Sequence, residues 1–141
     1  MRTNYLILWF LVLFIVAHPL NAESLVVVTN KNFPLTSLNE DQLKQIFLKR
    51  TRYIENTKIF PINIQARKNY RKIFEKSIMK MNAFALKKHW TKAHYHGLRP
   101  PKVLSSIEST LAFIRSVDGA IAYIPFSKLP DDLHVILKVT Q

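Results

Sequence analysis

Cysteine is absent from this sequence of 141 residues, and glycine occurs only twice. The chain therefore forms no disulfide and offers no thiolate for catalysis, for a cysteine-ligated zinc ion or for an iron–sulfur cluster. The two glycines, Gly97 and Gly119, are too far apart for a glycine-rich loop that cradles nucleotide phosphates. These absences exclude thiol redox chemistry and the familiar dinucleotide-binding motifs.

Acidic residues are also scarce in this chain. Nine Asp and Glu stand against 21 Lys and Arg, which gives a formal net charge of +12 at pH 7. A charge of this size attracts anions, nucleic acid or anionic membranes, and it does not indicate a fold. Because the lysines are scattered along the chain, a solvated basic surface without a dedicated ligand is an open alternative.

The first 22 residues have the pattern of a secretory signal peptide. Arg2 precedes residues 5–17, which contain neither a charge nor a helix breaker, and the small Ala22 stands before the first acid, Glu23. A signal peptide has an apolar stretch of ~7–15 residues, whereas a membrane span needs ~20. We expect cleavage near Ala22, a periplasmic location for residues 23–141 and no remaining transmembrane span. An uncleaved membrane anchor is the alternative.

Export changes the partners that the basic charge favours. Residues 23–141 keep 20 basic and nine acidic side chains. Genomic nucleic acid is not accessible outside the cytoplasm, so we expect no nucleic-acid partner. Small anions, lipid head groups and acidic proteins are the partners that this charge favours.

The hydrophobic pattern of the mature chain alternates between strands and helices. It predicts buried strands at residues 25–29, 59–64, 120–124 and 133–139. Helices are predicted to begin near Ser37, Lys68 and Ser105, the first and third with S-x-x-E capping boxes, and a break is expected near Asn82. This order predicts an α/β domain with a sheet of four to five strands covered by helices. The residues expected in its core are Leu43, Ile46, Phe47, Ile73, Phe74, Leu111 and Ile114.

No motif in the sequence indicates catalysis or metal binding. The segment HWTKAHYHG contains His89, His94 and His96, of which the first and third share a helix face and the second does not. No Asp or Glu lies between Glu75 and Glu108 to complete a ligand set, and neither an H-E-x-x-H nor a G-x-S-x-G motif occurs. We therefore expect no catalytic residue, no metal site and no cofactor, and we interpret the chain as a protein other than an enzyme.

The turn at residues 65–70, together with Arg71, is the candidate anion site. The turn follows a predicted strand and opens a helix, where free backbone N–H groups and the positive end of the helix dipole face the same space. Arg67 and Lys68 add full positive charges, and Arg can bind an oxyanion with two parallel hydrogen bonds. The predicted site comprises Arg67, Lys68, Asn69 and Arg71. The alternative is an ordinary basic first turn, which slightly opposes the dipole.

The order of several segments resembles the substrate-binding proteins of phosphate ABC importers. The chain looks like the short, single-lobe relatives in that family, and the similarity runs from about residue 25 to residue 125 or beyond. Its strongest pieces are QLKQIFLKR and DGAIAYIP. The segments that carry the resemblance are S-L-x-x-x-Q-L-x-x-I-F-L (37–48), P-I-N (61–63), Arg71-x-x-Phe74, Trp90 and G-A-I-A-Y-I-P (119–125).

The resemblance implies both a fold and a ligand. The fold is one three-layer lobe of a type 2 periplasmic-binding protein, a mixed sheet with helices on both faces. The implied ligand is phosphate or another small oxyanion, and the implied partner is a membrane transporter or an envelope sensor. Full-length members close two lobes around phosphate, and their phosphate loop carries an Arg followed by Ser-Gly-Thr. Here residues 65–70 read Q-A-R-K-N-Y, so only Arg67 matches that loop. The alternative function is a non-transport envelope interaction module that keeps the lobe without its phosphate site.

Overall fold

A computed structural model of the chain describes residues 23–66 and 68–140. The predicted signal peptide, residues 1–22, lies outside the described residues. Within them the strands are β1 (Leu25–Thr29), β2 (Tyr53–Ile54), β3 (Thr57–Lys58), β4 (Phe60–Ile64), β5 (Lys102–Leu104), β6 (Ala120–Pro125) and β7 (His134–Val139). The α-helices are α1 (Glu40–Phe47), α2 (Asn69–Phe74), α3 (Ala83–Tyr95) and α4 (Ile107–Ser116). A π-helical turn, Glu75–Met79, continues α2, and a short 3₁₀ helix, Phe126–Lys128, follows β6.

Five of the strands form one mixed sheet in the order β5-β4-β6-β1-β7. Strand β4 runs parallel to both β5 and β6, whereas β1 pairs antiparallel with β6 and β7. All five residues of β1 and all six of β6 are buried, because both strands lie inside the sheet and are covered on both faces. The predicted mixed sheet of four to five strands is confirmed.

Helices cover both faces of this sheet. On one face, Leu25, Val27 and Tyr123 pack against residues of α1, α2 and the π-helical turn. On the other face, Val26 and Val28 pack with Ile114 of α4. Alternate residues of a strand point to opposite faces, so the continuous apolar run of β1 supplies both cores. The three-layer α/β lobe is therefore confirmed.

The predicted helix starts near Ser37 and Ser105 are displaced by one to three residues. The N-cap of α1 is Asn39, whose side chain accepts a hydrogen bond from the Gln42 amide at 2.8 Å. Leu38 donates its amide to the Ile136 carbonyl of β7, which holds the chain extended until Asn39. The capping box of α4 is likewise formed by Ser106 and Ser109 rather than Ser105 and Glu108.

The break expected near Asn82 is confirmed. Lys80 adopts a left-handed conformation with φ of 49°, which ends the π-helical turn. The Asn82 side chain then accepts a hydrogen bond from the Ala85 amide at 2.8 Å, and α3 begins at the next residue.

Among the described helices, none combines the length and the apolar composition that a membrane span needs.

Of the predicted core residues, Ile73 and Leu111 are only partly buried, at the margins of the two clusters, and the other five are buried.

The sequence pattern does not predict three short strands, β2, β3 and β5. The β2–β3 hairpin is polar and lies outside the main sheet, and β5 is an exposed strand at the edge of the sheet. Neither shows the apolar run by which the other strands are recognised.

Candidate functional site

The candidate anion site lies where β4 ends and α2 begins. Strand β4 ends at Ile64, and the Lys68 amide donates to the Gln65 carbonyl at 3.0 Å, so the chain turns tightly between them. Lys68 is the N-cap of α2, its side chain makes no capping hydrogen bond, and no acid stands in the first turn. The first amides of a helix have no partner within the helix. Lys68 and Asn69 are both exposed beside them.

Arg71 reaches back from α2 to the end of the strand. Its Nη1 donates to the Ile64 carbonyl at 2.7 Å, and its Nε donates to Glu75 Oε1 at 2.6 Å. The side chains of Arg71 and Glu75 are 18% and 29% exposed, so the pair is partly shielded from solvent. The Nη1 donor therefore fastens α2 to the carboxyl end of β4, and the Nε donor holds the guanidinium against its own helical segment.

A buried polar network supports the same strand end from the sheet. The Tyr123 hydroxyl of β6 donates to Asn63 Oδ1 at 3.2 Å and accepts the Ile64 amide at 3.3 Å. Its ring stacks on Phe74 of α2 with centroids 4.0 Å apart and an interplanar angle of 8°. Burial raises the pKa of Tyr123 above its ordinary value, so the phenol stays protonated and can keep donating.

A small cavity of about 70 Å³ lies between this network and α3. Asn63, Arg71 and Glu75 give it a polar wall, and Phe74 and Trp90 contribute apolar surface. The Glu75 carboxylate makes the cavity unfavourable for a second negative charge. On the exposed side of the turn stand Lys68 and Asn69.

The four predicted site residues have different positions in the structure. Lys68 and Asn69 stand together at the exposed start of α2, and Arg71 lies one turn further along with two donors engaged. Arg67 lies outside the described residues. The assignment of these residues to an anion site stays a prediction.

The three histidines of the HWTKAHYHG segment have separate surroundings. His89 places its Nε2 3.2 Å from the Leu48 carbonyl and its ring edge-on to Trp90. His94 and His96 are exposed. Among the described residues, no three His, Asp or Glu side chains come close enough together to hold a metal ion.

A second feature, which the sequence pattern does not reveal, is a groove at the opposite end of β4. Its volume is about 340 Å³, and we call it the cationic groove. The basic residues that line it are Lys49, Arg52, Lys58, Arg99 and Lys102. They come from separate loops and strand ends, so only the folded chain brings them together.

Comparison with known proteins identifies the fold. The chain matches no protein-family model and no curated protein sequence. Several solved structures resemble it, and three of them each match 81% of this chain. The first is a phosphate ABC transporter substrate-binding protein from Clostridium perfringens with phosphate bound, at 17% identity and a TM-score of 0.66. The second is a phosphate transport receptor from Vibrio cholerae, at 17% identity and a TM-score of 0.64. The third is PstS from Borrelia burgdorferi, at 12% identity and a TM-score of 0.63.

The likeness covers less than half of each of these proteins. The matched segment amounts to 44%, 45% and 46% of their respective chains. The described chain thus has the fold of a single lobe of phosphate ABC transporter substrate-binding proteins. The resemblance predicted from the sequence is confirmed at the level of the fold.

Proposed function

We propose that this protein is a solute-binding protein whose ligand is phosphate or another small oxyanion. The observation that carries the proposal is the single-lobe likeness to binding proteins of phosphate transporters, one of which holds phosphate. The structural neighbours are binding proteins, so the proposed activity is capture of a solute rather than its chemical conversion. The partner is an ABC importer or an envelope sensor.

Local geometry supports a site at residues 65–71. Ligands of open α/β sheets bind outside the carboxyl ends of strands, and β4 ends there. Lys68 and Asn69 are exposed at the start of α2, where the Lys68 and Arg71 amides donate to the Gln65 and Lys68 carbonyls and the first helical amides between them have no acceptor within the helix. In our proposal Arg67 and Lys68 supply the charge, Asn69 supplies a side-chain amide, and Arg71 holds the turn against the strand.

The expected affinity is weak. The turn reads Q-A-R-K-N-Y where the resemblance implies Ser-Gly-Thr contacts, and the described residues form a single lobe. An oxyanion bound on this surface stays partly hydrated, where each charged hydrogen bond contributes less than in a closed cleft. We expect a Kd on the order of micromolar to millimolar that rises steeply with salt.

Isothermal titration of the mature chain with orthophosphate and with sulfate tests this function. We expect saturable binding that the double substitution Arg67→Ala and Lys68→Ala abolishes. Lys138→Ala is the matched control, because Lys138 is exposed on β7 at a distant position in the sheet and should leave binding unchanged. Absence of binding in the native chain, or binding that survives the double substitution, contradicts the proposed site.

The proposal includes export to the periplasm with cleavage near Ala22. A binding protein for an importer works outside the cytoplasmic membrane, and residues 1–22 carry the pattern of a signal peptide. N-terminal sequencing of the exported protein should therefore begin at Glu23. A product that keeps Met1 in the membrane fraction contradicts the proposed processing.

A second candidate function rests on the outer face of α3. Phe84 and Tyr95 are 76% and 84% exposed, and three lysines lie between them on the same face. Lysines can extend their charges to lipid phosphates while aromatic rings enter the interface. Under this alternative the lobe is an envelope interaction module that docks on an anionic lipid surface. Vesicles of phosphatidylglycerol, but not of phosphatidylcholine, should bind the native chain, and the double substitution Phe84→Ala with Tyr95→Ala should abolish that binding.

A further inference from the structure

The cationic groove lies at the end of the sheet opposite to the predicted phosphate turn. Phe60, the first residue of β4, lines the groove, whereas the turn follows Ile64, the last residue. The groove extends along β4 as far as Ile62, two residues before Ile64, so at a strand rise of ~3.3 Å per residue its nearer margin lies about 7 Å from the end of the strand. Lys102 lines the groove from the first position of β5, and the β2–β3 hairpin and the loop after α3 contribute to its other walls. Among the described residues, the groove shares no lining residue with the turn that follows Ile64.

The charge of the groove is entirely positive. Five Lys and Arg line it, no acidic residue does, and the ion pairs formed within the described residues involve none of the five. A concave surface lined by charges of one sign concentrates its field and attracts counter-charges. An anion that enters the groove meets no carboxylate, in contrast to the small cavity beside Glu75.

The position of Lys49 in the groove is unfavourable both for its backbone conformation and for its positive charge. Its amide donates to the Ile46 carbonyl and the Arg50 amide donates to the Gln45 carbonyl, both at 2.9 Å, which is the Schellman pattern that ends α1. This pattern places Lys49 in the left-handed region, at φ of 56°, where glycine is favoured. Burial, together with repulsion from Lys58, lowers the pKa of Lys49. A bound anion would relieve that repulsion.

The floor of the groove is apolar. Ile59, Pro61 and Ile62 are buried beneath it, and the half-buried rings of Phe60 and Phe113 contribute surface. The Lys58 ammonium lies 5.4 Å from the centre of the Phe60 ring, so charge and apolar surface are adjacent. A neutral apolar molecule would leave five cations without a partner, and orthophosphate would leave the floor uncovered.

We propose that the cationic groove binds a soluble organic polyphosphate, a molecule with several phosphate charges attached to an apolar or aromatic body. The phosphates bind between Lys49, Lys58 and Arg99, and the body covers the apolar floor near Phe60. This site is independent of the phosphate site proposed at residues 65–71. Its ligand is larger and more highly charged than orthophosphate.

Titration with three probes in magnesium-free buffer tests this proposal. ATP carries both the polyphosphate and an aromatic body, inorganic triphosphate carries the charge alone, and adenosine carries the body alone. We expect ATP to bind more tightly than triphosphate and adenosine to show no binding. Triphosphate that binds as tightly as ATP would show that the apolar floor does not contribute to affinity. Absence of ATP binding would contradict the proposal that the groove is a polyphosphate site.

Charge-matched variants locate the site. Lys58→Gln with Arg99→Gln removes two exposed cations from the groove, and Lys31→Gln with Lys138→Gln removes two exposed cations elsewhere. We expect the groove variant to weaken ATP binding by at least about tenfold and the control pair by much less. Equal losses would indicate attraction to net charge only and would overturn the proposal.

Two further binding measurements distinguish the polyphosphate site from the proposed phosphate turn and from the proposed lipid-binding face of α3. Arg67→Ala with Lys68→Ala should leave ATP binding unchanged, whereas a large loss would assign the polyphosphate to the turn instead. The groove variant should bind phosphatidylglycerol vesicles as the native chain does. If vesicle binding falls with ATP binding, the phosphate source is a lipid surface and the proposed soluble ligand is wrong.

Discussion

Tyr123 is the residue that connects the sheet to the candidate phosphate turn. Its hydroxyl joins the Asn63 side chain and the Ile64 amide, and its ring stacks on Phe74. Because it is fully buried, its hydrogen bonds have no competition from water. A single side chain in β6 therefore contacts both the end of β4 and Phe74, the last residue of the helix that follows the turn.

Removing this hydroxyl should destabilise the protein. Tyr123→Phe leaves the Ile64 amide without an acceptor and Asn63 without a donor in a buried place, which costs about 1–3 kcal/mol of unfolding free energy. Urea denaturation measures the change. Tyr53→Phe is a suitable control because Tyr53 is 58% exposed, and it should have almost no effect. Equal stability of Tyr123→Phe and the native chain would contradict the importance of the network.

At the scale of elements, the β2–β3 hairpin depends on close contact with Gly119. The Gly119 carbonyl accepts the Phe60 amide at 2.9 Å, and Gly119 itself has φ of 82°. A Cβ at this position would overlap the Lys58 carbonyl oxygen. Glycine is thus needed here both for its conformation and for its lack of a side chain.

The two glycines of the chain should differ in their tolerance of alanine. Gly119→Ala should lower the unfolding free energy by at least about 2 kcal/mol, because it adds a backbone clash to the cost of the left-handed conformation. Gly97→Ala should cost only about 1 kcal/mol, since its φ is 74° but nothing lies within 4 Å of the new methyl group. Thermal unfolding of the two variants provides the comparison. Equal losses would show that contact with the hairpin is unimportant.

The sequence predicts the elements that have a strong pattern of their own. Strands β1 and β6 are continuous apolar runs, so local sequence is enough to locate them. Strand β5 has two exposed residues out of three and owes its conformation to pairing with β4, which local sequence does not encode. The start of α1 differs from its predicted position for a similar reason, because Leu38 is held extended by its hydrogen bond to β7.

The candidate sites show the same division between local and long-range information. The turn at residues 65–71 is predictable, since a strand, a turn and basic residues are adjacent in sequence. The attachment of Arg71 to the Ile64 carbonyl and to Glu75 is a matter of side-chain geometry, which the sequence pattern does not predict. The cationic groove joins residues from Lys49 to Phe113 that are brought together only by the sheet, so no local pattern indicates it.

At the scale of the whole molecule, the described chain is one lobe with a strongly positive charge. It spans less than half the length of the binding proteins that it resembles. One continuous sheet runs through it, so it has no second lobe that could close over a ligand within the described residues. Within the described residues, the proposed capture of an anion would rely on the charge and amides of a single surface, with water on the other side of the ligand.

This architecture predicts that ligand binding leaves the size of the molecule unchanged. Like charges repel between copies of the mature chain, whose 20 basic and nine acidic residues give a net charge of +11, and one bound phosphate offsets little of that charge. Light scattering on the mature chain should therefore give the mass of a monomer with and without saturating phosphate. The matched control is sodium chloride at the same ionic strength, because salt alone screens the repulsion between copies. A dimer that forms with phosphate and not with sodium chloride would contradict the single-surface site, since a second copy would then supply the opposing lobe.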